Sequence, residues 1–185
     1  MTLQLEEQKI GELKLKLIIN IITYFFLTIN LNNIVHAKNF KPLKENNNLL
    51  WQAYKSKKYD IACKGWKEKA KQKSKVDEFN YGYCLEVGLN SQPRPSEASI
   101  WYGRAAEAGL PQAQHNLGLL RAEGKGVRKD IILAYFWLKI SSEYLRSSKR
   151  ALNELHSKEK FNKVQIRKIN QLLRAYYYKN KKFNN

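Results

Sequence analysis

Apolar residues recur at intervals of three and four along the middle of the chain, the spacing that places side chains on one face of an α-helix. Between residues 95 and 108 this face consists of Ala98, Trp101, Tyr102, Ala105 and Ala106. Between residues 111 and 123 it consists of Ala113, Asn116, Leu117 and Leu120. Gly109 and Pro111 separate the two segments. Because glycine often ends a helix and proline often begins one, the pattern predicts two helices joined by a short turn.

The same pattern returns every 36 residues. Shifting the sequence by this interval aligns small, aromatic and turn-forming residues with residues of the same kind. The aligned pairs are Asn80 with Asn116, Gly82 with Gly118, Gly88 with Gly124, Ala98 with Ala134, Trp101 with Trp137, Ala62 with Ala98, Trp66 with Tyr102, and Ala70 with Ala106. Each hairpin leaves one apolar face that only the next hairpin can bury, which predicts a stack of hairpins. Within it, Gly82 and Gly118 leave room for a Trp or Tyr ring from the partner helix.

The pattern beyond the repeats predicts two further helices, over residues 144–155 and 162–177. The apolar stripe of the second consists of Val164, Ile169, Leu172, Leu173 and Tyr176. Such helices would cap the stack, because the apolar face of its last hairpin would otherwise be exposed to solvent. We therefore predict repeats over residues 49–143, clearest over 76–143, followed by capping helices over 144–178 and a basic tail over 179–185.

The N-terminal segment has a different pattern. Lys14 and Lys16 precede a run without charge from Leu17 to Ala37, which is most apolar between Leu17 and Ile29. The apolar part is shorter than the roughly 20 residues that span a bilayer, and the run ends in Val-His-Ala, which fits signal-peptidase cleavage. Residues 1–37 are therefore predicted to be a signal peptide and residues 38–48 a linker. An uncleaved anchor or a buried helix is the alternative.

Four stretches between residues 95 and 143 resemble the Sel-1-like repeat family, a branch of the tetratricopeptide-type helical repeats. They are residues 105–109 (Ala-Ala-Glu-Ala-Gly), 113–118 (Ala-Gln-His-Asn-Leu-Gly), 124–130 (Gly-Lys-Gly-Val-Arg-Lys-Asp) and 134–137 (Ala-Tyr-Phe-Trp). The resemblance is weaker over residues 59–94. It implies an exported bacterial member with an all-α fold, a short right-handed α/α solenoid of helical hairpins. It also implies a C-terminal capping helix that contains Gln165.

The resemblance further implies a non-enzymatic scaffold for protein–protein interactions in the cell envelope or the secreted space. It places the partner-binding face on the first helix of each hairpin. The positions concerned are Phe79, Tyr83, Glu86, His115, Leu119 and Ala122. An aromatic face with basic flanks would suit a protein partner or an extended or helical peptide. The alternative for Phe79 and Tyr83 is a place in the core between repeats.

Charge adds a second candidate function. The chain carries 34 Lys and Arg against 16 Asp and Glu, a net charge of +18, which favours an acidic partner. Cationic residues of the C-terminal cap form a candidate anionic-partner patch, which consists of Lys160, Lys163, Arg167, Lys168 and Arg174. This patch could bind an anionic polymer or lipid headgroups, the alternative being an ordinary solvated surface. Nucleic acid is not expected, because no groove-reading motif is present.

Candidate chemistry is sparse. Cys63 and Cys84 are the only cysteines, and in an oxidising compartment they could form one disulfide, the alternative being two buried thiols. Ser157 and Lys160 match the Ser-x-x-Lys nucleophile motif, but neither Lys-Thr-Gly nor Ser-Asp-Asn accompanies it. His115 is expected to be a partly exposed structural residue. We therefore expect a monomer without catalytic, cofactor or metal site, located in the periplasm or secreted, and without a membrane span after signal cleavage.

Overall fold

The computed structural model describes residues 42–44 and 49–183, together with Lys16 and Ile18, which are helical and exposed. The rest of the predicted signal peptide and most of the predicted linker lie outside the described residues. All elements discussed below belong to one compact unit, Pro42–Asn185.

The described part of this unit contains eight α-helices and no strand. In chain order they are α1 (Leu49–Lys55), α2 (Tyr59–Ala70), α3 (Lys75–Val87), α4 (Pro95–Glu107), α5 (Pro111–Glu123), α6 (Ile131–Ser141), α7 (Arg146–Lys158) and α8 (Lys163–Phe183). Each helix from α1 to α6 packs against the next one along the chain, and α8 packs back on α6. Because contacts run between neighbours in this way, the elements form a stack of hairpins, and the all-α solenoid predicted from the repeat is confirmed.

Glycine ends the first helix of two successive hairpins. Gly88 after α3 and Gly124 after α5 have φ values of 73° and 72°, a left-handed conformation that other residues rarely adopt. Their N–H groups donate to the carbonyl oxygens of Cys84 and Leu120, which closes the last turn of each helix. The matching geometry explains why the two glycines recur 36 residues apart.

The core repeats with the same period. Trp66, Tyr102 and Leu138 stand 36 residues apart on the second helix of three successive hairpins, and all three are fully buried. The sequence predicts that a Trp or Tyr ring from the partner helix packs against Gly82. Tyr102 occupies this place, so the prediction is confirmed for Gly82. The corresponding prediction for Gly118 is wrong, because Leu138 fills that position.

A disulfide joins the first hairpin to the second. Cys63 of α2 and Cys84 of α3 are bonded, with their Cα atoms 5.9 Å apart and both side chains fully buried. Since the two helices pack directly against each other, the bond fastens the interface between successive hairpins.

The C-terminal helices differ in extent from the predicted ones. α7 continues to Lys158, beyond the predicted end at residue 155, so Ser157 lies within a helix. α8 continues to Phe183, beyond the predicted boundary between cap and tail at residue 178. The start of α8 is capped reciprocally, because the N–H of Asn162 donates to Gln165 Oε1 and the N–H of Gln165 donates to Asn162 Oδ1, each at 2.9 Å.

Candidate partner-binding site

Three positions of the predicted partner-binding face lie in the core. Phe79, Tyr83 and His115 are 0%, 5% and 3% exposed. The Phe79 ring packs against Tyr102 at a centroid distance of 5.5 Å, and the Tyr83 ring contacts Tyr54 edge to face at 6.5 Å. The prediction that Phe79 and Tyr83 line an open face is therefore wrong, because the neighbouring helices cover both rings. Burial is also the main reason that the pKa of Tyr83 is raised.

The other three predicted positions are half-buried and contribute to contacts between helices. They are Glu86, Leu119 and Ala122. The Glu86 carboxylate accepts a hydrogen bond from the Tyr102 hydroxyl at 2.8 Å and lies 3.7 Å from Lys125 Nζ. Leu119 and Ala122 pack against a core cluster that includes Leu138. The six predicted positions thus serve mainly to hold the repeats together.

His115 begins a buried chain of hydrogen bonds. Its Nδ1 lies 2.7 Å from Ser148 Oγ, which lies 2.7 Å from Ser141 Oγ. The Ser141 hydroxyl in turn donates to the carbonyl oxygen of Pro111 at 2.7 Å. The chain connects α5, α6 and α7, so His115 is a buried structural residue. The expectation that it is partly exposed is wrong.

An open groove lies where α6, α7 and α8 meet. Its volume is about 520 Å³. Its mainly apolar wall consists of Tyr135, His156, Phe161, Ile166, Ile169 and Leu173. The Phe161 ring stands edge to face with Tyr135 at 5.3 Å and parallel to His156 at 6.1 Å. We call this feature the C-terminal groove.

The rim of the C-terminal groove is positively charged. Lys139 and Lys160 line it and are exposed, and neither has an ion-pair partner among the residues that the structure describes. Glu159 also lines the groove, but Lys129 neutralises its carboxylate at 2.9 Å. The groove therefore combines an apolar wall with two unneutralised cations, an arrangement suited to an apolar group that is flanked by negative charge.

The predicted anionic-partner patch is exposed at all five positions, which are Lys160, Lys163, Arg167, Lys168 and Arg174. Residues 160–185 contain eight Lys and Arg and no Asp or Glu. Val164 and Tyr178 of α8 are also 72% and 68% exposed. The last helix therefore presents positive charge together with largely exposed apolar side chains.

A buried polar contact joins part of the predicted linker to the first helix of the second hairpin. The side chain of Asn80 on α3 is fully buried and binds both backbone groups of Leu43. Asn80 Oδ1 accepts the Leu43 N–H at 2.8 Å, and Asn80 Nδ2 donates to the Leu43 carbonyl oxygen at 3.1 Å. Pro42 is buried beside it, while Lys44 is exposed. This part of the predicted linker is thus held against the stack.

Comparison with known proteins identifies the repeat. The Sel1 repeat model matches residues 77–110 and 111–143, the two segments that hold α3 to α6. Residues 77–143 therefore consist of two successive Sel1 repeats. Sel1 repeats generally form scaffolds for protein–protein interactions.

Two solved structures resemble this Sel1 repeat chain. A protective antigen present in uropathogenic Escherichia coli strains, which displays an SLR fold, has 25% sequence identity and a TM-score of 0.63, covering 70% of this chain and 28% of the antigen. A Sel1 repeat protein from Oxalobacter formigenes has 26% identity and a TM-score of 0.55, covering 69% of this chain and 54% of that protein.

A curated relative shares a shorter segment with the Sel1 repeat chain. The chitin synthase regulator SKT5 of Saccharomyces cerevisiae is 35% identical over 82 residues, which are 42% of this chain and 12% of the regulator. The chain therefore spans only a small part of the length of this relative.

The described residues of the Sel1 repeat chain show little that could support chemistry. No group of three or more His, Cys, Asp or Glu side chains among them could hold a metal ion. The Ser157 hydroxyl donates to the Glu154 carbonyl oxygen within α7 at 2.8 Å, as exposed helical serines commonly do. In the same part of the chain, no helix is both long and apolar enough to cross a membrane.

Sequence reasoning missed both the C-terminal groove and the role of Asn80. The repeat pattern does mark Asn80, because Asn116 recurs one period later, but the period does not reveal what the side chain binds. The groove is formed after the last repeat, where no periodic signal remains.

Proposed function

We propose that this Sel1 repeat chain is a non-catalytic scaffold of the cell envelope or the secreted space that holds a partner protein in its C-terminal groove. The observation that carries the proposal is the open apolar wall around Phe161 with the unneutralised Lys139 and Lys160 on its rim. A volume of about 520 Å³ lies within the range of pockets that bury a compact ligand, about 300–1,000 Å³. The groove would receive an aromatic or branched apolar side chain flanked by Asp or Glu, since such anchors dominate protein interfaces.

Three observations support a place outside the cytoplasm. The uncharged run over residues 17–37, which is most apolar over residues 17–29, has the pattern of a signal peptide. Cys63 and Cys84 are disulfide-bonded, and disulfides persist mainly in oxidising compartments. The similar protein of uropathogenic E. coli is a protective antigen, which agrees with a location that meets the host.

The test is crosslinking in the native compartment, followed by mass spectrometry of captured proteins and binding assays with the purified partner.

Ile166 lines the groove and is 47% exposed, so Ile166→Glu places a negative charge on its wall. Val164 lies on the same helix, is 72% exposed and is not part of the wall, so Val164→Glu is a matched control. We expect Ile166→Glu to weaken binding at least about tenfold and Val164→Glu to leave it within about twofold. Equal binding by the two variants would exclude the groove as the partner site.

A second candidate function is electrostatic binding of an anionic polymer or membrane surface through the C-terminal cap. It is favoured by the absence of acidic residues from 160 to 185 together with the exposure of the anionic-partner patch. Each Lys or Arg near an anionic lipid surface contributes about 1 kcal/mol, and such binding weakens steeply with salt.

Vesicles containing phosphatidylglycerol provide the test of the second candidate. Replacing Lys163, Arg167, Lys168 and Arg174 by Gln should abolish binding. Replacing the exposed Lys55, Lys58, Lys64 and Lys67 of the first hairpin by Gln makes the same change in net charge elsewhere and should reduce it only slightly. Affinity should fall steeply between about 50 and 200 mM salt, whereas binding in the C-terminal groove should persist. Equal losses in the two quadruple variants would indicate a nonspecific effect of net charge.

A further inference from the structure

One apolar stripe runs along most of α8. It consists of Ile166, Ile169, Leu173 and Tyr176. Intervals of three, four and three residues place these side chains on one face of the helix. Towards the C-terminus the stripe is packed, because the Tyr176 ring contacts Trp137 of α6 at a centroid distance of 6.4 Å. Towards the N-terminus the same stripe lines the C-terminal groove, and Ile166 is 47% exposed. The stripe is therefore covered at one end and open at the other.

The open end lies where two consecutive helices diverge. In the described part of the chain, α7 and α8 do not pack side by side along their lengths, although every earlier helix packs against the one that follows it. Both helices pack on α6 instead. The groove is lined by His156 of α7 and by Ile166 and Leu173 of α8. It therefore occupies a place where, elsewhere in the stack, consecutive helices are in contact.

The open part of the stripe fits a helix better than an extended strand. Ile166, Ile169 and Leu173 extend over two turns of α8, about 10 Å at the rise of an α-helix. Apolar residues at alternating intervals of three and four form the seam along which one helix packs against another. A strand would also need backbone partners, which helical walls do not offer because their own N–H and C=O groups are already paired. A helix pairs its backbone groups internally.

The charge around the groove favours an acidic occupant. Lys139 and Lys160 lie on the rim and have no ion-pair partner in the part of the chain that the structure describes. The carboxylate of Glu159 lies 2.9 Å from Lys129 Nζ, so its charge is neutralised. No Asp or Glu occurs from residue 160 to residue 185. A second copy of the chain is disfavoured, because each copy carries a net charge of +18 and the two would repel each other.

We propose that the C-terminal groove receives one acidic amphipathic α-helix of the partner protein. The apolar residues of this helix recur at intervals of three and four and pack against Tyr135, Phe161 and Ile166. Its Asp and Glu residues flank the apolar stripe and pair with Lys139 and Lys160. The partner thus adds one further helix to the stack. This inference rests on the proposed function and specifies the class of partner.

The experiment selects binders on the immobilised full chain from a displayed library of random peptides of about 16 residues, enough for about four helical turns. The Ile166→Glu chain serves for counter-selection, because it places a negative charge on the wall of the groove. We expect the retained peptides to carry apolar residues at intervals of three and four, with Asp or Glu beside them. Counter-selection with Val164→Glu should not remove these peptides, because Val164 does not line the groove.

A labelled synthetic peptide with the most enriched sequence then gives affinities by fluorescence anisotropy. We expect Ile166→Glu to weaken its binding at least about tenfold and Val164→Glu to leave it within about twofold. Proline at a central peptide position outside the apolar stripe should weaken binding at least about tenfold, because it breaks the helix, whereas alanine there should leave it within about twofold.

Charge variants of the chain test the rim. Replacing Lys139 and Lys160 by Gln should weaken peptide binding severalfold and reduce its dependence on salt. Replacing the exposed Lys64 and Lys67 of α2 by Gln makes the same change in net charge and should leave binding within about twofold. Equal losses in the two double variants would contradict pairing at the rim.

The outcomes separate the helical occupant from the proposed function. Ile166-dependent peptides with apolar residues at every second position, or binding that tolerates the central proline, would overturn the helix and leave the groove as the partner site. Absence of any Ile166-dependent enrichment would overturn both. Dimerisation of the chain in analytical ultracentrifugation that Ile166→Glu abolishes would assign the groove to a second copy and refute the inference.

Discussion

Gly82 of α3 lies so close to the ring of Tyr102 on α4 that a Cβ at this position would be 2.9 Å from two ring carbons. Gly118 of α5 has the same relationship to Leu138 on α6, with 2.8 Å from such a Cβ to Leu138 Cγ. Real Cβ atoms essentially never show contacts under 3.0 Å. The absence of a side chain at these two positions therefore sets how closely the helices of each hairpin approach.

Replacing either glycine by alanine should destabilise the stack. Because Tyr102 and Leu138 are fully buried, neither can move away without disturbing further contacts. We expect Gly82→Ala and Gly118→Ala each to lower the free energy of unfolding by about 1–3 kcal/mol, measured by chemical denaturation.

Gly103 of α4 is the control for this prediction. A Cβ at this position would meet nothing within 4 Å, so Gly103→Ala should raise the free energy of unfolding by up to about 1 kcal/mol through helix propensity. If Gly82→Ala and Gly103→Ala changed stability in the same direction, the close approach of α3 and α4 would be refuted.

The Cys63–Cys84 disulfide should contribute substantially to stability. The bond closes a loop with a sequence separation of 21, for which restriction of the unfolded chain corresponds to about 3 kcal/mol. Replacing both cysteines by alanine should lower the free energy of unfolding by about this amount and make it insensitive to reductant. The wild type should fall to a similar value when reduced. Intact mass before and after thiol labelling would show free thiols if the bond were absent.

The sequence was sufficient for the stack because packing positions repeat at one period. It was not sufficient to identify the residue opposite Gly118, since Trp137 and Leu138 are adjacent apolar residues. In the structure Trp137 contacts Tyr176 of α8, while Leu138 faces the glycine. A stripe of apolar positions cannot decide between neighbours of this kind.

The candidate sites depend on contacts that lie outside the repeat. Asn80 meets Leu43, 37 residues away, and His115 meets Ser148, 33 residues away, and neither contact recurs one period later among the described residues. The sequence indicates that a buried polar side chain needs a hydrogen-bond partner, but it does not indicate which residue is that partner. The C-terminal groove depends on how α7 and α8 meet after the repeats have ended.

The buried hydroxyl of Tyr102 should make the stack sensitive to alkali. Burial, and next the Glu86 carboxylate, raise the pKa of Tyr102 well above its usual value of about 10. Because the pKa is raised in the folded state, this contribution to stability is fully present below pH about 10 and is lost as the pH rises further. Unfolding above this pH should coincide with the late appearance of phenolate absorbance.

Tyr102→Phe separates two roles of this hydroxyl, the hydrogen bond to Glu86 at neutral pH and the ionisation at alkaline pH. At neutral pH it should cost about 1–3 kcal/mol, because the half-buried Glu86 loses its hydrogen-bond donor. Its stability should then decline less than that of the wild type above pH 10. The exposed Tyr144→Phe should leave both the neutral stability and the alkaline midpoint of unfolding unchanged. An equal decline in the free energy of unfolding above pH 10 for Tyr102→Phe and the wild type would contradict the assignment.

Ser148 should be important for stability although it lies in a helix with a polar sequence. Its hydroxyl is fully buried between His115 Nδ1 and Ser141 Oγ, each at 2.7 Å, so Ser148→Ala interrupts a connection among three helices. We expect a loss of about 1–3 kcal/mol in the free energy of unfolding. The matched control is Ser142→Ala, because the half-buried Ser142 makes only an exposed hydrogen bond to the Lys139 carbonyl oxygen. The loss for this variant should stay within about 0.5 kcal/mol. Since Ser141 belongs to the same hydrogen-bond chain, adding Ser141→Ala to Ser148→Ala should cost less than the sum of the two single changes. Strict additivity, or equal losses for Ser148→Ala and Ser142→Ala, would show that the chain from His115 to Pro111 does not act as a unit.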